Sequence, residues 1–272
     1  MKLSLRFLGF IMLICLFLFS SCRSEFEIIR SSNDPQRILA EANSLYKEGD
    51  YHKAITLYEL MIPVYRGRAE AEDIAYNYAD AHYQLKRYIS SAHYFKQFAS
   101  TYGNSPRKEE ADFLSAYSNV ELSPSDKLDQ SSSIKAIDAL QSFINAYPTS
   151  PRVDQCNQLI DDMRKKMETK AYRSAKLYYD LRNFSSSIVS FENMLKDYPE
   201  TDKEEEIRYL IAKSSYSFAE NSIYEKKKER YMTTVEKCDI FLKKFPEAEK
   251  LSEVNTFVTK SRKELNKLDK NG

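Results

Sequence analysis

The ten residues Gly49-Asp50-Tyr51-His52-Lys53-Ala54-Ile55-Thr56-Leu57-Tyr58 read as a turn that opens directly into a helix. Glycine takes the left-handed conformation that closes one helix, and aspartate caps the start of the next. Upstream, Ile38, Leu39, Ala42 and Leu45 follow helical spacing; downstream, Ala54, Tyr58 and Met61 fall on one face. A small alanine beside large aromatics suits two helices that cross closely. The first helix is expected to begin at Asp34-Pro35, with aspartate as cap and proline at the first helical position.

The same outline recurs along the chain. Lys86-Arg87-Tyr88 stands 37 residues beyond Gly49-Asp50-Tyr51, with Ala75, Ala79 and Tyr83 before it and Ala92, Phe95 and Phe98 after it. A third unit places Phe113, Ala116, Tyr117 and Val120 on one face. A polar insertion, LSPSDKLDQSSS at residues 122–133, then leads to a helix over 134–147 carrying Ala136, Leu140 and Phe143. The fourth unit opens with an uninterrupted pattern from Val153 to about Leu181, free of Gly and Pro. It is longer than one repeat needs and reads as a strut. Along it Leu159, Ile160, Met163 and Met167 give way to Tyr172, Ala175 and Tyr179. The turn Arg182-Asn183-Phe184 follows, then Ser187, Phe191 and Met194. The fifth unit has Ile207, Leu210, Ile211, Ser214 and Phe218, then a basic insertion at 225–230 ahead of a helix running to Phe245. Tyr147-Pro148, Tyr198-Pro199 and Phe245-Pro246 each give a second helix a sharp stop. Residues 251–268 read as a polar capping helix of the kind terminal repeats need.

Gly49 to Tyr58 resembles the tetratricopeptide repeat, in which G-D-Y-x-x-A-I-x-x-Y is a distinctive run. The expected fold is all-α, a tetratricopeptide-repeat solenoid of about five helix-turn-helix repeats over residues 37–246, followed by a cap and tail at 247–272.

Ahead of the repeats, Lys2 and Arg6 precede an apolar run over Phe7–Phe19 and the small residues Ser20 and Ser21. This is the pattern of a secretory signal. At 1.5 Å per residue the apolar run is too short to cross a hydrocarbon core of about 30 Å comfortably. Phe19-Ser20-Ser21-Cys22 resembles a bacterial lipobox, with Phe19 where leucine is preferred. The resemblance implies cleavage after residue 21, a diacylglycerol on the Cys22 thiol and an acyl group on its amine. The competing reading is a plain secretory signal with an incidental cysteine. Residues 22–36 are then the lipidated cysteine and a polar tether. No aspartate follows Cys22 and no dense acidic run is present, which favours the periplasmic face of the outer membrane.

Composition narrows the function classes. The chain has 272 residues, 30% of them charged, with 20 Tyr, 15 Phe and no Trp. Its formal net charge of +1 becomes −1 without residues 1–21, so there is no basic footprint for nucleic acid. His52, His82 and His93 lack the i, i+4 spacing of a helical metal site. There is no phosphate loop and no nucleophile elbow. The sequence therefore predicts no enzyme, no catalytic residue, no metal and no cofactor. Cys156 and Cys238 read either as two packed thiols or as a disulfide pair.

Binding is the better expectation. In this fold the first helices line a concave groove, which puts Asn43, Tyr46 and Lys47 beside Tyr76, Asp80 and Tyr83. Such aromatics with polar tips suit an extended peptide; the alternative is that they pack between repeats. The Lys226–Lys228 run suits anionic lipid, an acidic partner patch or plain solvent.

The whole chain after the signal resembles the BamD family, the tetratricopeptide lipoproteins of the bacterial β-barrel assembly machinery. Residues 131–201 carry the resemblance, through the inserted loop, Tyr147-Pro148-Thr149-Ser150, the long helix, and Leu195-Lys196-Asp197-Tyr198-Pro199-Glu200-Thr201. The resemblance implies a lipid-anchored scaffold on the periplasmic face of the cell outer membrane. Its partners would be the periplasmic domains of the barrel-forming core subunit, other assembly lipoproteins and unfolded outer membrane proteins. Competing classes are a repeat lipoprotein serving cell-wall or division factors, and a glycan-binding lipoprotein. The latter is disfavoured by the absence of Trp.

Overall fold

The computed structural model describes residues 25–271, and all of the regular structure among them is helical. A short helix α1 (Glu25–Arg30) leads into α2 (Pro35–Glu48), α3 (Tyr51–Val64), α4 (Ala71–Gln84), α5 (Tyr88–Thr101), α6 (Lys108–Glu121), α7 (Ser131–Ala146), α8 (Val153–Asp180), α9 (Phe184–Asp197), α10 (Glu204–Glu220), α11 (Tyr224–Lys244) and α12 (Leu251–Asn271). The chain is all-α and built of tetratricopeptide-type helix pairs, from α2/α3 to α10/α11. The signal segment and Cys22 lie outside the described residues.

Two compact units are present. One gathers the residues up to Leu122 with Lys135–Val153; the other joins Ser123–Ile134 to the residues from Asp154 onward. In the first, Ala42 and Ala54 are fully buried where α2 crosses α3, so Tyr58 also packs without exposure. Ala79, Phe95, Phe98 and Ala111 form the next core layer. In the second, Ala175, Phe191, Met194 and Ile207 form one layer, and α12 packs Val254, Phe257 and Val258 against α10 and α11 to close the other. Burying one such aromatic contributes about 3–5 kcal/mol as measured by truncation to alanine.

The turn at Gly49 is as expected, with φ +85° and Asp50 accepting the Lys53 N–H. Asp34 likewise caps α2 through the Gln36 and Arg37 N–H groups. Four expectations differ in detail. The segment read as a polar tether contains α1, whose Ile29 is buried against the first core. Ser91, not Ala92, takes the fully buried position on α5, because Tyr88 starts that helix as Tyr51 starts α3, and Ser91 then matches Ala54. Its hydroxyl accepts from Ser118 at 3.1 Å. On α8 it is Glu168, one place beyond Met167, that is buried. The basic run at 225–230 does not precede α11; it forms the first turns of that helix.

The polar insertion is fastened within the second unit. Lys166 donates to Ser123 Oγ at 2.8 Å, Lys170 to the Leu128 carbonyl at 2.7 Å, and Arg173 pairs with Asp126. Buried Gln130 donates to the Ser125 and Leu128 carbonyls and accepts from Ser133. The length of α8 is thus matched to a row of cations that holds the loop. Cys156 and Cys238 are both buried and are not joined to each other in a disulfide, and burial pushes the Cys238 thiol up to about 12.

Candidate functional site

The first helices of the pairs carry a row of phenols and carboxylates. On α2, Tyr46 donates to Asp80 Oδ2 of α4 at 2.5 Å. On α8, Tyr172 donates to Glu206 of α10 at 2.6 Å. Both pairs are 34 residues apart, which is the period of the repeat. Tyr76 has Glu110 beside it at the same separation; burial first and that carboxylate second push its phenol well above the usual range. Burial, the Asp80 hydrogen bond and the Asp80 charge do the same to Tyr46. These phenols stay protonated and donate, leaving carboxylate oxygens and ring edges as the surface a ligand would meet.

The six residues singled out in the sequence fall into different settings. Asn43 is half-buried and accepts the Tyr58 hydroxyl at 2.8 Å. Tyr46 packs edge-on against Tyr51 and Tyr58 and reaches Asp80, which also accepts from Gln84. Tyr76, Asp80 and Tyr83 share one side of α4 by their i, i+4, i+7 spacing. Tyr76 packs against Phe95 and Phe98, under the Arg107 guanidinium at 4.6 Å. Tyr83 packs against Tyr88 with ring centroids 5.7 Å apart. Lys47 is exposed. The structure thus brings Tyr46 and Asp80 into direct contact, while Asn43 bonds within its own helix pair and Tyr76 packs on α5 with Glu110 of α6 beside it. All three tyrosines remain part-exposed.

A second recurring constellation escaped the sequence reading. After each of three second helices a hydroxyl reaches back to a glutamate on the first helix of the same pair. Ser105 donates to Glu72 at 2.7 Å, Ser150 to Glu109 at 2.6 Å, and Thr201 to Glu168 at 2.6 Å. The same oxygens accept the N–H two residues on, from Arg107, Arg152 and Lys203. Those three cations then sit over Tyr76, Phe113 and Tyr172, each four residues beyond the glutamate, at 4.6, 4.3 and 5.3 Å. The signal was present as Tyr102…Ser105…Arg107, Tyr147…Ser150…Arg152 and Tyr198…Thr201…Lys203. Around Tyr76 and Tyr172 this clamp fastens the segment after the second helix to the first helix of its own pair.

The arrangement sets hydrogen-bond acceptors and aromatic edges along the first helices. Among the described residues no group of three or more His, Cys, Asp or Glu is placed to hold a metal ion. No described helix is long and apolar enough to cross a membrane.

The family model described as outer membrane lipoprotein, YfiO, matches residues 31–221, which is most of the chain and takes in the tyrosine row and all three clamps. The chain belongs to the YfiO family of outer membrane lipoproteins. A curated relative from Aquifex aeolicus (strain VF5), named putative outer membrane protein assembly factor BamD, is 24% identical over 210 residues. The match covers 75% of this chain and 67% of that protein. Among solved structures, the TPR2AB-domain:pHSP90 complex of yeast Sti1 matches 84% of this chain and 98% of its own, at 13% identity and a TM-score of 0.38. The assembly chaperone of RpL4, Acl4, matches 88% and 99%, at 12% identity and a TM-score of 0.25.

Proposed function

We propose that this chain is a lipid-anchored scaffold of the β-barrel assembly machinery on the periplasmic face of the outer membrane. It binds the periplasmic domains of the core barrel subunit and other assembly lipoproteins, and receives segments of unfolded outer membrane proteins. The observation that carries this reading is the family match over residues 31–221. The curated relative named as an assembly factor supports it. Cys22, acylated on sulfur and nitrogen, is the anchor; several buried acyl chains at about 0.8 kcal/mol per CH₂ hold a protein firmly on a bilayer. Asn43, Tyr46, Lys47, Tyr76, Asp80 and Tyr83 form the peptide-binding face. An extended segment lies along α2 and α4 there, with its N–H groups donating to the Asp80 carboxylate and its apolar side chains against the phenol rings. The role is binding and not catalysis.

In cells, a photocrosslinker at Lys47 or at Tyr83 is expected to capture the core barrel subunit or unfolded outer membrane proteins, and depletion of the chain to block barrel insertion. Capture of peptidoglycan-processing enzymes alone, with barrel insertion intact, would replace this reading with the cell-wall one. Conversion of Cys22 to Ser is expected to release the protein from the membrane fraction.

A further inference from the structure

One end of the second unit combines cations with exposed apolar side chains. The first turns of α11 carry Lys226, Lys227, Lys228 and Arg230. Lys228 bonds Asp269 at 2.7 Å, which brings the last turns of α12, with Lys263, Lys267 and Lys270, to the same place. Against these seven basic side chains stand four acidic ones, Glu225, Glu229, Glu264 and Asp269. Three of the four are taken up locally: Glu229 by Lys226, Glu264 by Lys267, and Asp269 by Lys228. Lys227, Lys263 and Lys270 make no ion pair among the described residues. Lys267, Lys227 and Lys263 together hold the Glu264 carboxyl below the usual range.

Within this field two large apolar side chains face solvent. Ile223 is 68% exposed and Tyr224 57% exposed. Ile223 and Lys227 are four residues apart, as are Tyr224 and Lys228, so the apolar and cationic groups share one side of the helix start. Met232, 58% exposed, continues that side from Lys228. An acidic protein patch would satisfy the lysines and leave Ile223 and Tyr224 against carboxylates. A bilayer of anionic lipid offers both layers in order, phosphates at the lysine level and acyl chains just below. Lysine stems reach such a surface while their apolar parts stay covered.

We propose that this end of the second unit docks on an anionic phospholipid surface, with Ile223 and Tyr224 entering the headgroup boundary and Lys226, Lys227 and Lys263 meeting lipid phosphates. The charge complementarity and the intermixed apolar groups commit the face to lipid. Membership of a lipoprotein family puts a membrane within reach, and a second contact on an already anchored molecule gains from high effective concentration. The proposal is independent of which assembly the protein serves.

The chain has no tryptophan, so Tyr224→Trp provides a single reporter. It is introduced into the mature protein carrying Cys22→Ser, which removes the acyl anchor. With vesicles of phosphatidylglycerol and phosphatidylethanolamine, its emission is expected to shift to the blue. With phosphatidylcholine vesicles, and with the reporter moved to Tyr178, no shift is expected. Lys226→Gln with Lys227→Gln is expected to weaken vesicle binding about tenfold or more, and added salt to weaken it further. Lys135→Gln, at an exposed lysine of α7, leaves it unchanged, and circular dichroism confirms that each variant is folded. Three results would overturn the proposal: no shift with anionic vesicles, equal binding to neutral ones, or lysine-dependent binding to polyglutamate with none to lipid.

Discussion

The turns inside the helix pairs and the clamps that close them keep constant in opposite ways. At Gly49, Lys86 and Arg182 the chain takes the same left-handed step, with φ of 85°, 56° and 58°. Each step is closed by the same two backbone bonds: from Gly49 to Tyr46 and Asp50 to Leu45, from Lys86 to Tyr83 and Arg87 to His82, and from Arg182 to Tyr179 and Asn183 to Tyr178. The geometry is preserved although glycine appears once. The clamps preserve chemistry instead. Hydroxyl, glutamate, cation and ring recur while the hydroxyl-to-glutamate separation changes from 33 to 41 residues. Backbone bonds survive a change of side chain at a small strain cost, whereas a buried carboxylate has to find a donor wherever the chain places it.

The largest effect that tests this contrast is in the clamp of the second unit. Glu168 is buried, and Thr201 is its hydroxyl donor. Thr201→Val keeps the shape and removes the donor, and is expected to cost about 2 kcal/mol in denaturant unfolding. Ser105→Ala in the equivalent clamp should cost less, about 0.5–1 kcal/mol, because Glu72 is more exposed than Glu168, while each carboxylate keeps a cation, Arg107 at 3.2 Å and Lys165 at 3.1 Å. Equal losses at the two sites would show that burial of the carboxylate does not govern the clamp.

In the turns, opposite signs are expected. A Cβ on Gly49 meets nothing within 4 Å, so Gly49→Ala costs only backbone strain, about 1–2 kcal/mol. Lys86→Gly and Arg182→Gly relieve the same strain and should each stabilise by about 0.5–1 kcal/mol. Thermal unfolding of the three variants decides it; a destabilised Lys86→Gly protein would mean that the lysine side chain contributes to the turn.

The residue after the left-handed step separates the turns further. Asp50 caps α3 through the Lys53 N–H and Asn183 caps α9 through the Ser186 N–H, while Arg87 caps nothing. Asp50→Ala is expected to lose about 1 kcal/mol and Arg87→Ala no more than about 0.5 kcal/mol. Arg87 does donate to His52 at 3.1 Å, an exposed contact whose loss should be small.

Much of the fold was legible because Gly49-Asp50-Tyr51 states its turn in residue types, and the register of Tyr51 and Tyr88 carries the rest. The other two turns are legible only by that register, since nothing about lysine or arginine announces a positive φ. Ser91 was missed for the same reason: a serine on an apolar stripe reads as a break, yet it is buried because Ser118 bonds it. The tyrosine face was legible residue by residue but not as pairs. Tyr46 and Asp80 could each be placed on a first helix, but their bond depends on the spacing between α2 and α4, which no residue type in the sequence announces. The basic run at 225–230 reads as a loop because like charges repel in an isolated helix; in the protein its acids and Asp269 offset them.

A small, pH-dependent effect concerns the position just before the second turn, where the two repeats differ in polarity. Leu45 supplies the carbonyl that closes the first turn and is buried; His82 supplies it in the second and is equally buried, with neither ring nitrogen hydrogen-bonded. Burial first, and the nearby Arg87 charge second, lower the His82 pKa from its usual value. The sign follows from proton uptake. The unfolded chain takes up a proton as pH falls through about 6.5, while folded His82 stays neutral to a lower pH. Stability is therefore full above that value and is lost as pH drops from there toward the lowered folded pKa. His82→Leu restores the side chain of the first repeat. It is expected to stabilise by about 0.5–1 kcal/mol at neutral pH and to flatten the stability profile between about pH 5 and 7. An unchanged slope in that window would show that the acid sensitivity of the first unit comes from elsewhere, and that the polar residue at this point of the second turn is neutral to folding.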